Sequence, residues 1–247
     1  MNMRQNRLDD LRQQIQKLER SDKAENDALP FGSPLLDAHL PKGGLELGVL
    51  HEVSAAPGIC HETAATLFVA GILARTQGPV LWCLKTRDLF APGLALVGLE
   101  ASRIIFAETG DEKTLLTVME EGLRHGGLSA VVGEMNSLRM IAARRLHLAA
   151  RSSGTTAFAL YRQPAFRKDQ VNEPTAAVTR WRITALPSQV LPVAGIGRPF
   201  WQIDLLRCRD AGNASWITEA CDEKGSLGLA TNMAHRQNSP IDIRACA

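Results

Sequence analysis

Between residues 49 and 161 short apolar runs alternate with longer stretches of helical periodicity, and nothing else in the chain limits its fold as much. The runs at 49–53, 80–84, 104–107, 130–132 and 156–161 have the length and content of buried strands. Between them the spacing predicts helices over 62–76, 89–98, 111–125 and 137–152. Leu115, Leu116, Val118, Met119 and Leu123 would face inward from the third. Met140, Ile141, Leu146 and Leu148 are among the apolar positions of the fourth. Strands and helices that alternate this closely form βαβ units and a largely parallel sheet. Strands with so few polar residues need cover on both faces. The chain is therefore predicted to be α/β.

The flanks read differently. Residues 4–20 carry Leu8, Leu11, Ile15 and Leu18 as a narrow helical stripe, and 22–30 read as a polar linker ending at Pro30. A helix that short is marginal alone in water and needs a surface to pack on. Residues 32–40 suggest a helix N-terminus containing Asp37, followed by a turn at Lys42-Gly43-Gly44. After Gln163 the pattern changes. Residues 164–178 are polar and read as a long mobile loop. A strand begins at Arg180-Trp181-Arg182-Ile183. Residues 200–208 and 215–220 flank Asp210-Ala211-Gly212-Asn213 as a hairpin. Residues 222–247 lack periodicity and read as a flexible tail. The expected organisation is an N-terminal helix and linker at 1–25, an α/β domain at 26–221 and a tail at 222–247.

Composition removes several classes of function. The 247 residues are 45% hydrophobic and 22% charged, the mix of a globular protein. No uninterrupted apolar run of about 18 residues exists for a membrane span. The first 25 residues are too charged for a signal peptide, and Asp9, Asp10, Glu19, Asp22 and Glu25 argue against a transit peptide. Five cysteines without a C-x-x-C pair read as reduced thiols of a cytoplasmic protein. His61-Glu62 lacks the second histidine of a zinc-protease helix, so no metal is expected. Residues 139–182 hold nine bases against two acids, a net of +7 in a chain whose total is +2. The bases of the whole chain are mostly arginine, whose fork suits phosphate or carboxylate partners. A solvated helix face is the simpler account of such a run.

Gly32, Ser33, Leu36, Asp37, Leu40, Gly43, Gly44, Leu45, Gly48 and Glu52 stand in an order and spacing that resembles the RecA recombinase core, and the likeness runs to about residue 184. It implies a RecA-like P-loop NTPase fold with a mostly parallel central sheet and antiparallel strands near the C-terminus. A phosphate loop needs small residues, a lysine for the terminal phosphates and a Ser or Thr for magnesium. Residues 54–62 run Ser-Ala-Ala-Pro-Gly-Ile-Cys-His-Glu, with Ala55 and Gly58 in the loop. Cys60, His61 and Glu62 occupy the Gly-Lys-Thr positions, and no lysine occurs between Lys42 and Lys85. The loop is degenerate. Glu134 survives as the acid after the strand at 130–132. Thr86 or Arg87 stands where a catalytic Glu is expected, with Asp88 close by. Phosphoryl transfer rests on positioning and charge stabilisation, so the chain is expected to have no nucleotide cofactor and no ATPase activity. Gln163 resembles the glutamine that joins the nucleotide site of RecA to its second DNA loop. A strand-end amide capping a loop explains it as well.

Val132-Gly133-Glu134-Met135, Arg144-Arg145-Leu146-x-Leu148-Ala149-Ala150 and Gly154 resemble the ImuA family. So do Arg180-Trp181-Arg182, Pro187-Ser188, the run from Phe200 to Arg209, and Ser215-Trp216. This likeness covers the chain to about residue 222. It implies a non-catalytic accessory role in bacterial SOS mutagenesis and translesion synthesis. The implied partners are an ImuB-type inactive Y-family polymerase, RecA and an error-prone DnaE-type polymerase, with DNA contact and a homo-oligomer left open. Leu8, Leu11, Ile15 and Leu18 would dock on a partner. Arg162, Arg167, Lys168, Arg180 and Arg182 would meet nucleic acid. The competing expectation is a residual DNA-dependent ATPase or recombinase. A division inhibitor finds no supporting residue. Trp181, Trp201 and Trp216 lie on predicted strands, where core packing and base stacking compete.

Overall fold

A computed structural model describes residues 28–161, 174–188, 195 and 197–229. The predicted alternation becomes β3 (Leu50–Ala55), α2 (Ile59–Ala74), β4 (Val80–Leu84), α3 (Ala91–Ala95) and β5 (Ile104–Glu108). It continues through α4 (Glu112–His125), β6 (Ala130–Glu134), α5 (Met140–Ser153) and β7 (Thr156–Tyr161). Ahead of these lie β1 (Ala28–Leu29), α1 (Pro34–His39) and β2 (Leu45–Glu46). After them come β8 (Thr179–Leu186), β9 (Phe200–Cys208), β10 (Ala214–Glu219) and β11 (Gly228–Leu229).

Among the described residues, nine strands form one sheet in the order β11-β10-β9-β8-β3-β7-β6-β4-β5. From β8 to β5 every pairing is parallel. From β8 to β11 every pairing is antiparallel. Parallel neighbours need crossovers, and the helices supply them while covering the faces. On one face α2 packs over β3 and β8. Its core joins Phe31, Phe68, Trp82, Trp181 and Trp201. Phe31 stacks on Phe68 at 5.7 Å and meets Trp181 at 5.6 Å. On the other face α4 and α5 set Leu115, Met119, Leu123 and Leu146 against Leu50, Val131, Ala157 and Ala159.

The expected strands and hairpin are present, with β9 and β10 flanking Asp210 to Asn213. Asp37 ties its own turn: its carboxylate accepts from the backbone N–H groups of Phe31 at 2.6 Å and Gly32 at 3.0 Å. Trp82, Trp181 and Trp201 are buried, and Trp216 packs on the same core, so the described tryptophans serve packing.

Two expectations are corrected. Residues 222–229 are not tail. Asp222 organises a turn, Leu227 is buried, and β11 extends the sheet beyond β10. The apolar content of this stretch is too small to show periodicity, yet one leucine and a pair of ladder bonds suffice to seat it. The strand at 104–108 is not covered on both faces. It is the sheet's edge, and Ile105 and Phe106 are 51% and 42% exposed. The expected helix at 4–20, most of the loop at 164–178 and residues 230–247 lie outside the described residues.

Candidate functional site at the strand-to-helix bend

In an open α/β sheet, ligands bind beyond the carboxyl ends of the strands, where the winding changes direction. Here that place is the bend from β3 to α2, beside the ends of β4 and β6. β3 lies mid-sheet, and its six residues, the polar His51, Glu52 and Ser54 included, are all buried. The bend needs Gly58, whose φ of 124° and ψ of 144° lie where side-chain-bearing residues rarely go. Gly58 is the N-cap of α2, so Cys60, His61 and Glu62 fall in the first helical turn.

His61, expected at the lysine position of a phosphate loop, braces helix to sheet. Its Nδ1 accepts the backbone N–H of Ala185 on β8 at 2.9 Å. Partial burial pushes its pKa below the ordinary value, which keeps the ring neutral and Nδ1 available as an acceptor. Glu62 puts a carboxylate in the turn whose free N–H groups would otherwise favour a phosphate. Cys60 is exposed.

Glu134 ends β6, is buried, and accepts the indole N–H of Trp82 at 2.8 Å on Oε1. A cavity of about 140 Å³ lies between these elements, lined by Glu62, Lys85, Thr86, Asp88, Glu134 and Asn136. Drug-sized ligands occupy pockets of roughly 300–1,000 Å³. The lining offers one ammonium against three carboxylates, a poor match for a triphosphate. Among the described residues no group of His, Cys, Asp and Glu is placed to hold a metal ion. Lys85 reaches the cavity from the end of β4, where no motif pointed to it. Its position just past an apolar strand was the available signal. Arg87 turns away to Glu108.

Arg180 and Arg182, expected at nucleic acid, are engaged inside the fold. Trp181 and Ile183 enter the aromatic core, so parity sends the two arginines to the opposite face of β8. There Arg180, 4% exposed, donates from Nε to Glu52 Oε2 at 2.7 Å. Glu52 also accepts from Thr175. Arg182 donates twice to Asp204 Oδ2, at 3.1 and 3.0 Å, while Gln202 and Ser215 hold Oδ1. Removing one partner of the buried Arg180–Glu52 pair leaves a stranded charge and costs about 3–5 kcal/mol, so Arg180 is structural, and the half-buried Arg182 holds Asp204 in place. Sequence reasoning missed their carboxylates. Glu52, a carboxylate in a run that reads as a buried strand, was the signal for a buried cation. Arg162, Arg167, Lys168, Leu8, Leu11, Ile15 and Leu18 lie outside the described residues.

No family model matches the chain. Among curated proteins, the ImuA proteins of two Caulobacter vibrioides strains are each 36% identical to it over 214 residues, covering 82% of this chain and 87% of theirs. The chain belongs to the ImuA family. Among solved structures, SulA from Pseudomonas aeruginosa aligns at 21% identity and a TM-score of 0.42, over 45% of this chain and 96% of that one. For this member of the ImuA family, the bend carries a histidine bracket and a carboxylate. No described helix is long and apolar enough to cross a membrane.

Proposed function

We propose that this ImuA-family chain is a non-catalytic accessory protein of DNA-damage-induced mutagenesis and translesion synthesis. In this role a RecA-like body holds partners and turns over no nucleotide. The observation that carries the proposal is the first turn of α2. There His61 is fastened to β8 and Glu62 faces the place of a phosphate. The RecA-like assignment is supported by a sheet with β3 near its middle, four parallel strands to one side and antiparallel C-terminal strands to the other. Family membership supports the pathway. The partners proposed from the sequence are an ImuB-type inactive polymerase, RecA and a DnaE-type polymerase.

A second reading, a residual DNA-dependent ATPase, draws on Lys85 and Thr86 at the cavity beside Glu134. One preparation separates the two. The full chain, incubated with ATP, Mg²⁺ and single-stranded DNA, is expected to release no more phosphate than its Glu134→Ala variant. It is also expected to co-purify with the ImuB-type partner or RecA. DNA-stimulated hydrolysis abolished by Glu134→Ala would overturn the accessory role, and so would the absence of any complex with these partners.

A further inference from the structure

The solvent face of α5 combines two features that rarely share a helix. From Arg139 to Gly154 the chain has four arginines, one histidine and no carboxylate. The inner face seats Ala143, Leu146 and Ala150 against the sheet. On the outer face Ile141 is 77% exposed and Leu148 is 66% exposed. Residues seven apart on a helix are offset by only about 20°, so these two aliphatics form one line along the helix. Single exposed aliphatics are common. A collinear pair is different, because each forgoes about 1.5–3 kcal/mol of burial at the same surface.

Arginines frame the line. Arg144 lies on one flank and Arg145 on the other. Arg145 reaches Glu120 on α4, which also takes Arg124, and Arg151 pairs with Glu46 at 2.9 Å. Arg144 has no carboxylate partner among the described residues, which leaves its flank cationic. On the α4 side a recess of about 150 Å³ opens between the helices, lined by Leu116, Thr117, Ala142 and Arg145 among others. The face thus has an aliphatic ridge, an adjoining recess and uncompensated positive charge.

We propose that this face docks an acidic amphipathic helix of a partner protein. Two aliphatics of that helix, seven residues apart, would lie along Ile141 and Leu148, and its carboxylates would meet Arg144. This is the helix-in-groove mode, with charge setting the choice of partner. The chain's own N-terminal stripe fits less well, because residues 4–20 hold five bases against three acids. Nucleic acid would use the arginines but gain nothing from the ridge. The inference goes beyond the accessory role, since it holds equally for a residual ATPase.

The test uses the full chain and a labelled synthetic 18-residue peptide, with leucines at heptad spacing and glutamates on the remaining face. Fluorescence anisotropy is expected to give a Kd on the order of micromolar. Ile141→Ser with Leu148→Ser should weaken binding at least about tenfold, and Arg144→Glu at least about threefold. A peptide of the same composition with its leucines moved off the heptad should bind wild-type protein no better than the double variant does. This control keeps the test valid should a variant misfold. The proposal is overturned if the acidic peptide fails to bind. It is equally overturned if a peptide of residues 4–20 or a dT20 oligonucleotide binds the same face more tightly, or if sedimentation shows the ridge buried in a dimer of this chain.

Discussion

His51 shows how a single residue fixes both a hydrogen-bond direction and a pH response. Its Nε2 lies 2.7 Å from the carbonyl oxygen of Glu46, which can only accept, so Nε2 carries the proton. Nδ1 then accepts from Thr179 at 2.7 Å, and the same hydroxyl accepts the indole N–H of Trp181 at 2.6 Å. A second proton on the ring would break this chain inside an apolar wall. Burial pushes the pKa of His51 down from 6.5 to about 4. Between those values the unfolded chain binds the proton and the folded one does not. The contribution is therefore complete above pH 6.5 and lost as pH falls towards 4, amounting to roughly 3 kcal/mol. Urea denaturation at pH 7 and pH 5 is expected to show this slope, and His51→Gln should flatten it. At this scale the sequence was only half legible. The alternation of Arg180 and Arg182 with Trp181 and Ile183 was readable as two faces. What each face meets was not, because Glu52 and Asp204 are 128 and 22 residues away from their arginines.

Among elements, those with strong periodicity were the readable ones. β7 begins and ends where its apolar run does, and α4 sits one residue inside its expected start. The misjudged elements owe their structure to distant partners. β11 is two residues long and exists because β10 offers it a ladder. β5 looks like an interior strand because its residues are apolar, and only the sheet order makes it an edge. Packing between elements also explains a residue that sequence reasoning treated only as part of a motif. Gly133 lies on β6 beneath α4, and a Cβ there would come within 2.2 Å of Met119 Sδ and 3.1 Å of Leu115. α4 can approach β6 only because that side chain is missing. Gly133→Val is expected to destabilise the fold by about 1–3 kcal/mol through overpacking, read as a lower denaturation midpoint with an unchanged m-value.

Across the whole molecule, the α/β class, the mostly parallel sheet and the antiparallel C-terminal strands were legible, because alternation and turn chemistry are local signals. The candidate site was legible only as the absence of a lysine between Lys42 and Lys85. Its present use was not, since the contact from His61 to Ala185 joins residues 124 apart across two elements. That bracket also bears on what a cation at this turn would do. His61→Lys would place a cation there by one substitution, but an ammonium cannot accept a hydrogen bond. The half-buried N–H of Ala185 would be left without its acceptor, at about 1–3 kcal/mol, while Glu62 remained in the same turn. Such a variant is expected to show a lower thermal midpoint and no gain in ATP binding by calorimetry. With the imidazole acting as a rivet between helix and sheet, a change that puts a cation at this turn meets a less stable protein first.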